Sequence, residues 1–204
     1  MGLISAASTI FDAGSMSAGF GGSMVFIKKL TASGSGTLSF VDGASGVVLD
    51  DTYKEYVFTF NNIHPATDNV FFSFNLSTDS GSNYNVTKTT TYFFAFHKEN
   101  GSGTNFTYSN GADLAQSTSY QQIAQNIGAD NDQSMSGNFT LFNPSSTTFV
   151  KHFIATTQTA ETGDNTVNVF SAGYGNTTSA VDAIRFQMES GSIASGDICL
   201  YGIA

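Results

Sequence analysis

In Glu55-Tyr56-Val57-Phe58-Thr59-Phe60-Asn61-Asn62-Ile63, the aromatic residues Tyr56, Phe58 and Phe60 fall at every second position, alternating with Val57, Thr59 and Asn61. Successive side chains of a strand point to opposite faces, so this stretch reads as a strand with one aromatic face turned to a core. His64-Pro65 closes it, because proline brings no N–H to a ladder. Residues 69–76 (NVFFSFNL) and 90–97 (TTYFFAFH) repeat the aromatic pattern. Residues 24–30 form an earlier apolar run, and residues 36–41 alternate up to the turn pair Asp42-Gly43. Residues 138–142 and 149–156 flank Asn143-Pro144-Ser145-Ser146, and residues 167–174, 183–188 and 198–203 complete the series. About ten short strands separated by turn residues predict an all-β fold, a single antiparallel β-sandwich or jelly roll.

Between the strands lie Gly/Ser/Asn-rich segments, residues 77–85, 100–111 and 128–137, read as loops at the ends of the sheets. Residues 112–127, with Leu114, Tyr120, Ile123 and Ile127, are the one stretch that could hold a short helix. Residues 1–23 differ from the rest. Gly14, Gly19, Gly21 and Gly22 are mixed with Ser and Ala, and Leu3, Ile4, Ile10, Phe11 and Phe20 punctuate them. That is too glycine-rich for a firm helix and too apolar for a plain solvated tail. The chain therefore divides into an extended N-terminal assembly arm, residues 1–23, and a β-domain, residues 24–204, with those five apolar residues expected to dock the arm on a neighbour.

The composition narrows the function. Hydrophobic residues make up 40 %, enough for a core, while charged residues make up only 11 %, under half of the roughly 25 % usual in soluble domains. With seven Lys and Arg against sixteen Asp and Glu, the net charge of −9 disfavours a nucleic-acid partner, which needs clustered cations. No apolar run is long enough to span a membrane, and the first residues carry neither a secretory signal nor a myristoylation site, since position 6 is Ala6. The single cysteine, Cys199, lies in an apolar run and reads as a small buried hydrophobe that makes no intrachain disulfide.

Catalytic motifs are missing. There is no nucleophile elbow, P-loop or dinucleotide fingerprint. His64, His97 and His152 are scattered without zinc-ligand spacing and read as structural. Asp130-Asn131-Asp132, and Asp79 with Asn83 and Asn85, have calcium-binding residue types but not the order of an EF-hand, and read as solvated turns. Glu55, Glu99, Glu161 and Glu189 offer no evident pair for glycoside hydrolysis. No catalytic residue, metal site or cofactor is expected. Tyr84, Phe106, Tyr108 and Tyr120, read as loop aromatics, are the candidates for contacts to a host surface glycan by stacking.

Several stretches taken together resemble a known family. Residues 53–58 (YKEYVF), 61–68 (NNIHPATD) and 80–85 (SGSNYN) are similar to a virion-protein module of marine tailed phages, of the cyanophage type. So are residues 142–148 (FNPSSTT), 180–184 (AVDAI), 190–196 (SGSIASG) and 200–203 (LYGI). The resemblance covers residues 24–204 and implies a non-enzymatic structural protein of the virion. The expected place is the particle surface, as a tail appendage or fibre subunit. The alternatives are a capsid decoration (cement) protein and a host-glycan-binding module. The implied partners are other virion proteins and further copies of the same chain; neither nucleic acid nor membrane is expected as a partner.

Overall fold

The computed structural model describes residues 23–204 in full and, before them, only the backbone of three short strands: β1 (Leu3–Ser5), β2 (Ser8–Asp12) and β3 (Ser15–Met16). These pair antiparallel with one another in a small sheet of their own. The side chains of Leu3, Ile4, Ile10 and Phe11, and all of Phe20, lie outside the described residues, and with them the expected docking contacts of the arm.

The body is built from β4 (Met24–Thr31), β5 (Leu38–Val41), β6 (Glu55–Pro65), β7 (Val70–Ser77), β8 (Lys88–Lys98), β9 (Thr104–Tyr108), β10 (Gln121–Ile127), β11 (Met135–Phe142), β12 (Lys151–Glu161), β13 (Asn165–Gly175), β14 (Ala183–Met188) and β15 (Ile193–Ile203). All pairings are antiparallel, and the fold is all-β as the alternation predicted. Twelve strands stand where ten were expected. The two additions are β9, in a stretch read as loop, and β10, in the stretch read as a helix. A helix fails at residues 121–127 because Gln121, Gln122, Ala124 and Ile127 pair with β7, where their backbone groups find ladder partners beside the phenylalanine core.

The sheet runs as one path folded over on itself. A large leaf has the order β4-β15-β6-β11-β12-β13-β8-β9, and a small leaf the order β10-β7-β14-β5. A single pairing, Ile127 with Glu161, joins them through β10 and β12. The alternating rings of β6, β11 and β12 on the large leaf meet those of β7, β14 and β5 on the small leaf. Phe186 sits at the centre, against the rings of Phe40, Phe58, Phe60, Phe72, Phe74 and Phe139. Most of these rings meet edge to face, the arrangement that the aromatic quadrupole favours. Tyr92, Val167 and Val169 form a smaller core under residue 112.

Gly196 and Gly202 are among the glycines that close approach fixes. Gly196 has φ +117°, and a Cβ there would lie 2.6 Å from the Asn62 carbonyl oxygen, at the irregularity where β15 slips along β6. At Gly202 a Cβ would lie 2.2 Å from the Tyr53 ring, which packs flat on the bare backbone and edge-on to Tyr56. Cys199 is buried and unoxidised, as its apolar setting predicted.

Lys88 and Lys151 have fully buried side chains, and both are paired in register with Gly175 of β13, which lies between them. Neither has a carboxylate partner; the ion pair among the described residues is Lys29 with Asp197, at the surface. The Lys88 ammonium donates to the Val86 carbonyl at 2.8 Å and to the Asn75 side-chain oxygen. Lys151 donates to the carbonyls of Phe149 (2.7 Å) and Thr177 (3.2 Å). Burial pulls Lys88 down to about 7 and lowers Lys151 as well, because a low-dielectric setting disfavours the charged form.

Candidate interaction surface

β8 carries aromatic residues at both parities: Tyr92, Phe94 and Phe96 alternate with Phe93. Only one parity can face inward. Tyr92 is fully buried in the smaller core, with Phe94 and Phe96 packed against that core, so Phe93 is turned out. The same alternation turns Phe170 out on β13 and Ile154 out on β12, since Val167, Val169, Phe153 and Ala155 are buried. Register then assembles a row across the large leaf: Phe26, Tyr201, Val57, Thr140, Ile154 and Ala172 are successive partners on adjacent strands. Beside it, Phe170 stacks on Phe93 with centroids 5.1 Å apart, and Phe106 meets Phe93 edge-on at 5.6 Å.

This surface is water-facing yet apolar. Phe106 is 69 % exposed, Ile154 52 % and Phe170 39 %. Such a continuous exposed apolar patch is uncommon on a lone soluble domain and marks a contact surface. Across the Ile154–Ala172 row from Phe170 and Phe93 lies an open groove of about 490 Å³, walled by Phe142, Ile154 and Tyr174 with Thr89, Thr91 and His152 at its sides. The wall is mostly carbon, which suits protein side chains better than the hydroxyl groups of a sugar. The outward positions of β11, β12, β13 and β8 hold no Asp, Glu, Lys or Arg; they do hold His97 and His152, the latter edge-on to Tyr174 at 6.0 Å.

The aromatic residues nominated from sequence do not converge. Phe106 and Tyr108 belong to strand β9 rather than to a loop, a correction, and they do join the outer face of the large leaf. The Tyr108 hydroxyl donates to Asp113 at 2.6 Å. Tyr84 lies elsewhere, its ring covered by the Arg185 guanidinium at 3.8 Å, and its carbonyl accepts from Asn75 at 2.7 Å. Tyr120 lines a separate polar cleft on the small leaf with Phe71, Gln122 and Glu189. Sequence reasoning missed Phe93, Phe142, Ile154, Phe170 and Tyr174; the double-parity aromatics of β8 were the available signal.

The polar candidates are spent on structure. The Nδ1–H of His64 donates to the Gln133 carbonyl at 2.7 Å. Asp79 accepts from the Ser77 hydroxyl and from the backbone and side-chain N–H groups of Asn83, which hold its carboxyl below the usual range. Glu161 is clasped by the side-chain amides of Asn126 (2.7 Å) and Asn165. Among the described residues, no three His, Cys, Asp or Glu side chains group so as to hold a metal ion. Compared with known proteins, the chain matches no family model, no curated protein and no solved structure.

Proposed function

We propose that this chain is a non-enzymatic structural protein of a tailed-phage virion, placed on the particle surface as a tail appendage or fibre subunit. The observation that carries the reading is the aromatic outer face of β11, β12, β13 and β8, whose outward positions hold no carboxylate or ammonium group, on an otherwise acidic all-β body. A surface of that kind is suited to assembly. The resemblance of residues 24–204 to the virion module supplies the setting. His64 and Glu161 are taken up by structural hydrogen bonds, which supports a reading that gives them no chemistry.

The experiment is peptide mass spectrometry of purified particles, followed by cryo-electron microscopy of the intact virion. Absence of the chain from purified particles would sink the reading. Density on the tail is the expected result, and density on the capsid faces would reassign the chain to head decoration. A variant lacking residues 1–23 is expected to fold but to be lost from particles, because the arm is proposed to dock the domain.

A further inference from the structure

We infer that the outer face of the large leaf is a self-association surface, on which the same face of a second copy of this chain packs. The inference rests on the structural role proposed above and names the partner of that surface.

Charge selects the partner. At a net charge of −9, two copies repel wherever their carboxylates come within a Debye length, about 8 Å at physiological salt. Asp42, Asp79, Asp130 and Asp164 lie outside the strands, in the connecting segments. The outward positions of the four strands β11, β12, β13 and β8 carry none, so this face is where a like-charged copy approaches at least electrostatic cost. A strongly acidic or basic partner would find no complementary charge there.

Area and shape agree. The charge-free strands β11, β12, β13 and β8, with β9 at their edge, are spaced about 4.8 Å apart and make a face of roughly 700 Å² in plan. That is close to the about 800 Å² of accessible surface that each partner buries in a stable complex, and the relief of the face adds to its plan area. The face has a raised part, Phe93, Phe106 and Phe170, beside a hollow part, the groove between Phe142, Ile154 and Tyr174. A two-fold axis between them sets the ridge of each copy into the groove of the other, the reciprocal contact that an isologous dimer requires.

Sedimentation equilibrium of the full chain over micromolar concentrations tests this. The expected result is a dimer whose affinity holds or rises with added salt, as the remaining carboxylate repulsion is screened. Phe170→Glu with Ile154→Glu is expected to sediment as a monomer with unchanged far-ultraviolet circular dichroism. Ser190→Glu, an exposed turn position beside Glu189, is expected to leave the dimer intact. A monomeric wild type, or a dimer that survives the double substitution, overturns the inference. So does a monomer that dimerises only once residues 1–22 are removed, since the face then belongs to the chain's own N-terminal segment. A dimer formed by a chain absent from particles keeps this inference and removes the virion reading; a monomer found in particles does the reverse.

Discussion

Phe170 stacks on Phe93 outside the large leaf at 13° between ring planes, and Phe153 stacks on Phe139 inside it at the same angle. Both pairs join neighbouring strands of one sheet, and both gain from offset aromatic contact. The difference lies in what covers them. The inner pair meets Phe74 of the small leaf, whereas the outer pair meets solvent. The outer face thus carries side chains of core type, with no layer over them among the described residues.

Phe186→Ala is expected to be the most damaging single truncation in the core. It removes the ring on which the aromatic residues of both leaves converge. Large-to-small changes of this kind cost about 3–5 kcal/mol. Urea denaturation at equilibrium would show it as a lowered midpoint with an unchanged slope, and a loss under about 1 kcal/mol would contradict the packing described.

Lys88 makes stability depend on pH in a defined direction. Its folded-state pKa is about 7, while the unfolded chain titrates near the ordinary value of 10.5. Between these values the unfolded state binds more protons, so stability rises with pH, by at most about 1.4 kcal/mol per unit. Below about pH 7 the full cost of the buried cation is present. Above about pH 10 the trend reverses, because burial holds the Tyr56 and Tyr92 hydroxyls above their usual range and the unfolded tyrosines ionise first. Melting temperatures at pH 6, 8 and 9.5 are expected to climb in that order, and Lys88→Met is expected to flatten the climb.

Gly202→Val is expected to destabilise although glycine commonly weakens a strand. The new side chain would enter the Tyr53 ring, and the ring cannot retreat without breaking its edge contact with Tyr56. Overpacking of this kind costs about 1–3 kcal/mol. A companion Tyr53→Ala is expected to recover part of the loss, which a double-mutant cycle would read as coupling between the two positions.

Calcium is expected to leave the melting temperature unchanged, and so is a chelator. The carboxylate best placed to attract a cation, Asp79, is already satisfied by Ser77 and Asn83. A calcium-dependent rise in melting temperature would show that the turn rearranges to bind.

Strand alternation exposed most of this architecture to a reader of the sequence, and its breaks hid the rest. Residues 55–61 and 138–142 keep period two, and their strands lie where alternation puts them. β10 does not keep it: its register with β7 shifts twice within seven residues, and Asn126 has φ +48°, so buried positions fall at Ile123, Ala124 and Ile127 as they would on a helix face. β9 is an edge strand with no buried residue to mark it. The outer face was half legible. The aromatic residues of β8 could be counted, but which parity the small core claims depends on Val167 and Val169, which come some seventy residues later in the chain.

The position of β15 carries a consequence for how the body forms. Among the described residues β4 pairs with no strand except β15, and β15 in turn lies against β6. Residues 24–31 thus remain without a sheet neighbour until a segment more than 160 positions further along the chain is in place. Contacts so distant in sequence close slowly, after the entropy of a long loop has been lost. The large leaf therefore acquires one of its two borders late, and until then Phe58 and Phe60 present an open strand edge to any passing chain.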